Sequence, residues 1–158
     1  MQLRHNDHTN LKKYIMHLHN VVKAALGLLG TLLMTAGALP AYAETPQNFL
    51  DSYAQEAKAQ NPGFKGFSAK AGESFYKNKH GGDWSCSSCH TDNPAAEGKH
   101  AVTGKVIQPL SPNANPARFT DAAKVNKWFK RNCNDVLKRE CTPEEKGNLL
   151  TYLLSVKS

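Results

Sequence analysis

Cys86-Ser87-Ser88-Cys89-His90 sets two thiols three residues apart with an imidazole directly after the second. That is the spacing for covalent attachment of a c-type haem: two thioether bonds, and an adjacent ring nitrogen to bind the iron. A redox dithiol of the thioredoxin kind would sit between a strand and a helix, and the flanks Gly81-Gly82-Asp83-Trp84 and Thr91-Asp92-Asn93-Pro94 show no such pattern. A zinc site would take Cys133 and Cys141 as its second pair, but seven residues separate them, too many for a knuckle. His90 is therefore read as the proximal iron ligand, its other ring nitrogen bonded to a backbone carbonyl such as one in the loop around Pro109.

The opposite face of the iron is less determined. The only methionines are Met1, Met16 and Met34, all in a segment that reads as a removable leader, so no thioether is available. His80, His100, lysines and the carboxamide of Asn132 remain. His80 lies six residues before Cys86, on the tether of the attachment site itself, and His100 sits in the long loop after it. Asn132 falls 42 residues after His90, at the end of an apolar helical stripe and beside Cys133. As a plain residue reading it serves equally as a helix C-cap.

Residues 1–43 have the three parts of a secretory signal. Arg4, Lys12, Lys13 and Lys23 supply a basic start, Ala24 to Leu39 an apolar core, and Ala41-Tyr42-Ala43 a small-residue exit. Cleavage after Ala43 would leave residues 44–158 as a single small domain in an oxidising, periplasmic compartment, where Cys133 and Cys141 can persist as a disulfide. The leader carries four Lys/Arg and Asp7, so its removal lowers the formal net charge from +7 to +4. The remaining basic residues interleave with acids and form no recognition-helix pattern, which argues against nucleic-acid binding. A basic face steering an acidic redox partner is the more economical reading.

The elements that must hold these groups are helical, because strict apolar/polar alternation is nearly absent. Thr45-Pro46 opens a helix to about Gln60 with Phe49, Leu50, Tyr53 and Ala57 on one stripe, and Asn61-Pro62-Gly63 stops it. Ser68 caps a second helix to about Asn78. From Asn93 to Arg118, Pro94, Pro109, Pro112 and Pro116 mark a loop wrapped over a surface. Thr120 caps a third helix from Asp121 to about Arg131, whose Val125, Trp128 and Phe129 form an apolar pocket wall leading to Asn132. Thr142-Pro143-Glu144-Glu145 is a capping box that opens the last helix, bearing Leu149, Leu150, Leu153 and Leu154.

With these segments in view, the chain resembles a small group of monohaem cytochromes, cytochrome c″ and the oxygen-binding sphaeroides haem protein. The likeness rests on Cys86-Ser87-Ser88-Cys89-His90, Thr103-Gly104-Lys105, Pro109-Leu110, Arg118-Phe119-Thr120-Asp121, Asn132-Cys133-Asn134-Asp135 and Cys141-Thr142-Pro143. It implies an all-α, class I-like cytochrome c fold with an additional N-terminal helix, and one covalently bound haem c. In both relatives the residue before the first disulfide cysteine is the distal ligand, His in one and Asn in the other, which implies Asn132 here. The flanks Thr91-Asp92-Asn93-Pro94-Ala95 and Tyr152-Leu153-Leu154 look closer to the His type. A proton-coupled switch does not carry over, because an amide does not titrate as an imidazole does. Ligand loss on reduction does, since a neutral amide is a hard, weak donor and poor for the softer ferrous ion.

The resemblance implies electron transfer combined with binding of a diatomic gas (oxygen, nitric oxide or carbon monoxide), with a dihaem cytochrome c and a membrane cytochrome b as redox partners. Two rival readings accompany it. One is a plain shuttle whose iron stays six-coordinate, with His100 as sixth ligand. The other is a haem enzyme acting on nitric oxide or peroxide, which would benefit from a distal acid, base or donor beyond Asn132 and Asn134.

Overall fold

The computed structural model describes residues 43–157, together with residues 13, 15 and 16. The expected leader otherwise lies outside the described residues. No helix of the described residues is long and apolar enough to cross a membrane.

Four helices and one short helical turn carry the domain. Helix α1 (Pro46–Gln60) starts at a capping box in which Thr45 accepts from the Asn48 N–H while the Asn48 side chain accepts from that of Thr45. It buries Phe49, Tyr53 and Ala57. Helix α2 (Ala69–Lys77) is capped by Ser68 and buries Gly72 and Tyr76. Helix α3 (Ser87–His90) is a single turn holding the Cys-His motif. A strand pair follows, β1 (Gly98–Lys99) antiparallel to β2 (Val106–Ile107), with Gly98 opposite Ile107. Helix α4 (Ala122–Leu137) and helix α5 (Pro143–Ser155) complete the chain.

Helix α5 is the hub, with α1 and α2 packed on it. Leu150 and Leu153 are fully buried, and Leu149 and Tyr152 nearly so. The α2 crossing is close because Gly72 has no side chain: a Cβ there would collide with the Asn148 backbone of α5. The long loop is tied to the end of this hub. Ser111 donates to the Leu153 carbonyl at 3.0 Å, and Asn113 Nδ2 donates to the carbonyls of Leu154 and Val156 at 2.9 and 2.8 Å. These bonds satisfy carbonyls that the helix end leaves without intrahelical partners.

The sequence reading needs three corrections. The loop between residues 93 and 118 contains a strand pair, too short at two residues a strand for alternation to reveal it. Helix α4 is capped by Asp121, whose side chain accepts from the Lys124 N–H at 3.0 Å, while the Thr120 hydroxyl donates back to the Ala117 carbonyl. Thr and Asp are both good caps, and here Asp121 takes the role. Finally, α4 does not stop near Arg131 but continues to Leu137, ending where Lys138 adopts a left-handed conformation (φ 61°). Asn132 is thus an interior helix residue and not a C-cap. The reason is tertiary: Val125, Phe129 and Cys133 recur every four residues and are buried, so packing carries the helix past an asparagine whose intrinsic penalty is only about 0.7 kcal/mol.

Candidate functional site

The Cys-His turn is fixed from three directions. Before it, the buried Ser85 donates its N–H to Ser88 Oγ at 2.9 Å, its hydroxyl accepts from the Ser88 N–H at 3.2 Å, and it pairs with the Ser87 hydroxyl at 2.9 Å. After it, Thr91 turns the chain with φ 62°, and the fully buried Tyr76 donates its hydroxyl to the Thr91 carbonyl at 2.7 Å. Beside it lies Gly98 of β1, where a Cβ would collide with the Cys89 carbonyl and the His90 Cα. Only glycine allows the strand pair to lie so close.

Within the turn, the His90 N–H bonds to the Cys86 carbonyl at 3.0 Å, and Cys86 and Cys89, both half-buried, take no part in a disulfide. Burial pushes the Cys86 thiol up to about 11. His90 is held down at about 4, by burial first and by the positive charge of Arg118 second, so its imidazole is neutral and its lone pair available to a metal. Two cysteines one turn apart and outside any disulfide, a neutral imidazole at the end of that turn and a backbone approach that excludes any side chain make a donor set that fits a covalently held haem.

The sulfurs of Cys133 and Cys141 lie at bonding distance, 1.96 Å, with their Cα atoms 5.6 Å apart, linking α4 to the start of α5. That pairing removes both from any four-cysteine metal set. Arg139, inside the loop so closed, holds Glu145 by two parallel bonds of 2.8 and 2.6 Å.

The stripe expected on α4 divides into two rows. Val125 and Phe129 line up with Cys133 and are buried, Phe129 against Tyr53 (ring centroids 5.9 Å apart) and Phe119 (6.4 Å). Trp128 and Asn132, also four apart, form the neighbouring row and are exposed, Trp128 by 48%. Arg131 lies over the Trp128 ring at 5.6 Å. The Asn132 carboxamide makes no hydrogen bond among the described residues, whereas Asn134 donates to the Lys130 carbonyl at 2.7 Å.

The two histidines weighed as distal ligands are engaged elsewhere. His100 Nδ1 accepts from the Val102 and Thr103 N–H groups at 3.3 and 3.2 Å inside its own turn, so in the neutral ring Nε2 carries the proton. His80 Nε2 lies 2.9 Å from the Phe75 carbonyl, which can only accept, so that nitrogen donates. The Pro109 carbonyl, expected near the second nitrogen of His90, accepts instead from Arg118 Nε at 2.9 Å and Asn115 Nδ2 at 3.3 Å. Sequence reasoning missed Arg118, Tyr76 and Gly98. Only the Arg118-Phe119-Thr120-Asp121 likeness pointed to one of them.

A family described as a domain of unknown function, DUF1924, matches residues 62–153. Cytochrome c″ of Methylophilus methylotrophus is 39% identical over 138 residues, covering 85% of this chain and 94% of its own. The cytochrome c-type protein SHP of Cereibacter sphaeroides is 52% identical over 69 residues, 44% of this chain and 53% of its own. Among solved structures, oxidized cytochrome c″ from M. methylotrophus superposes with a TM-score of 0.65 at 40% identity, covering 72% of this chain and 95% of that one. Oxidized SHP, described as an oxygen-binding cytochrome c, gives 0.62 at 36% identity over 70% and 96%. The mostly helical domain, with α1 ahead of the motif, is therefore an all-α cytochrome c fold. The chain belongs to the cytochrome c″ and SHP family and is a monohaem cytochrome with one covalently bound haem c.

Proposed function

We propose that this chain, exported by residues 1–43 and working as residues 44–158 in the periplasm, transfers electrons and, once reduced, binds a diatomic gas at the position Asn132 gives up. Haem c supplies an iron that changes oxidation state and can be ligated on both faces. The residues of the chain divide the rest between them. Cys86 and Cys89 tether the group, His90 holds the proximal face, and Asn132 occupies the distal face only while the metal is ferric. Trp128, one turn before Asn132 on the same exposed row, gives that side an apolar neighbour, while Val125 and Phe129 lie on the buried row behind it.

The observation that carries this reading is the state of Asn132: an exposed carboxamide in the middle of a helix, with no hydrogen bond among the described residues to fix it. Its departure breaks no interaction of the fold. The relatives support the same direction. One is described as oxygen binding, and a solution structure of the other, with 40% identity and a TM-score of 0.65, is described as informing haem-ligand detachment. The electron donor is another cytochrome, with a dihaem cytochrome c and a membrane cytochrome b as the expected kinds. The six-coordinate shuttle reading is disfavoured because His100 would have to give up two backbone N–H bonds and change tautomer to serve as its sixth ligand.

The test is the absorption spectrum and carbon monoxide titration of Asn132→Ala beside the wild type. Asn132→Ala is expected to convert the ferric spectrum to a five-coordinate or water-ligated form while the ferrous proteins bind carbon monoxide alike. An unchanged ferric spectrum would remove Asn132 from the metal.

A further inference from the structure

The strand pair has two unlike faces. Gly98 and Ile107 stand opposite each other on the inner one, where Gly98 lies on the Cys89 carbonyl and the His90 Cα. Lys99 and Val106, the other opposed pair, share the outward face and are exposed. Val102 stands at the tip between the strands. It is 75% exposed and Val106 64%, more than any other large apolar side chain among residues 43–157. Lys99, His100 and Lys105 accompany them, and no acid occurs from Gly98 to Gln108. Glu97, at the base, is engaged by Gln108 Nε2 at 2.8 Å.

The tip is preformed. Its Val102 and Thr103 N–H groups are taken by the His100 ring, and the His100 backbone donates to the Lys105 carbonyl and accepts from the Gly104 N–H, each at 2.8 Å. Gly104 turns the chain there with φ 68°. The Ala101 N–H donates to Cys89 Sγ at 3.5 Å. Thus the hairpin touches one of the two motif sulfurs near its tip and the motif backbone through Gly98, while its other face is open to solvent. A single exposed valine needs no explanation, but two on one preformed, cationic hairpin mark a contact surface.

We propose that the outward face of residues 98–107 is the docking surface for an acidic electron-transfer protein, with Val102 and Val106 as apolar contacts and Lys99 and Lys105 as the charges that select the partner. The inference rests on the reading of Cys89 as a haem attachment point. An acidic surface is the occupant that the charge favours, since a second copy of this chain would set the same lysines against each other. The preformed tip has little conformational entropy left to lose on binding. Docking there seats the donor on the segment that touches the Cys89 sulfur. The donor gives up one electron and the iron passes from ferric to ferrous, with no atom transferred.

Calorimetric titration of the oxidised holoprotein with oxidised plant-type ferredoxin, a strongly acidic one-electron carrier, tests this, together with the rate of reduction by reduced ferredoxin. Lys99→Glu combined with Lys105→Glu should weaken binding and slow reduction roughly tenfold at low salt, and the gap should close as salt rises. Lys58→Glu combined with Lys70→Glu changes the net charge equally on α1 and α2, both exposed positions, and should have a clearly smaller effect. Val102→Ser should weaken binding without altering its salt dependence. Equal losses in the two charge-reversed pairs would overturn the proposal, as would Val102→Ser at wild-type affinity or a wild type that ignores ferredoxin at low salt. Binding of the wild type to phosphatidylglycerol vesicles in place of ferredoxin would overturn it in favour of a lipid surface. The mass of the haem-bearing peptide reports attachment at Cys89 in the same samples, so failure of that reading is distinguished from failure of docking.

Discussion

The two sides of the iron site are built in opposite ways. On the proximal side, a four-residue turn is held by a buried serine before it, by a buried tyrosine hydroxyl after it, and by a strand pair that only a glycine admits beside it. On the side proposed to be distal, Asn132 is carried by a helix whose buried seam, Val125, Phe129 and Cys133, lies on the adjacent row. The helix is anchored, and the side chain is not. Under the proposed function this difference has a use: a ligand that stays gains from contacts with several distant segments, whereas one that leaves is best placed where its departure leaves no polar group of the fold unsatisfied.

The sharpest way to break this contrast is at Gly98. In Gly98→Ala the new methyl group would meet backbone atoms of Cys89 and His90, which cannot rotate aside as a side-chain end could. Either the strand pair lifts away or the motif turn shifts, at a cost on the order of 3 kcal/mol. Thermal unfolding and the yield of covalently attached haem should both fall. If Gly98→Ala is as benign as a change at Asn132, the proximal side is not over-determined.

Removing the Cys133–Cys141 link by paired Ser substitutions tests the distal side at the level of the backbone. The loop it closes is short, and the chain-entropy model gives a loss of about 2.5 kcal/mol in chemical denaturation. Attachment of haem at Cys86 and Cys89 should be unaffected, while the ferric spectrum should become heterogeneous as the Asn132 segment loosens. Tyr76→Phe makes the matching test on the proximal side. It deprives the Thr91 carbonyl of its donor in a part-buried setting, which costs about 1 kcal/mol, and it should do so without changing the distal ligation read from the spectrum.

How much of this contrast the sequence announced differs by side. The Cys-His spacing, the Thr45 and Ser68 caps and the Thr142 capping box are local signals, and each sits where its residues pointed. Gly98, Tyr76 and Arg118 act through contacts with residues distant in the chain, and no periodicity encodes those. Asn132 shows how a local rule loses: asparagine favours helix ends, but the four-residue seam and the Cys133–Cys141 link extend α4 five residues beyond it. Trp128 was grouped with Val125 and Phe129 because helical spacing alone does not separate two adjacent rows of one face.

Because the Asn132 carboxamide makes no hydrogen bond among the described residues, its replacement should not destabilise the reduced protein, in which it is expected to be off the metal. Alanine is the better helix former, so Asn132→Ala should raise the stability of the reduced state by about 0.7 kcal/mol. Denaturation under reducing conditions reads this directly. A clear loss would mean that the carboxamide has a structural partner after all, and the two sides would then be more alike than the geometry indicates.

The smallest effect concerns acid. Burial pushes the Glu145 carboxyl up, but the Arg139 guanidinium and the Thr142 N–H outweigh it and hold it below its ordinary value. A carboxyl depressed in the folded state contributes stability that is complete above the unfolded value, about 4.3, and is lost as pH falls through the folded one. Glu145 both closes the α5 capping box and holds Arg139, inside the loop that fastens α4 to α5, so the distal fastening is the one that acid loosens. Glutamine can still cap a helix, so Glu145→Gln removes the charge and leaves the box. The variant should melt slightly below wild type at pH 7 and converge with it by pH 3. A gap that persists at pH 3 would assign the contribution of Glu145 to packing, and acid would then no longer distinguish the distal side.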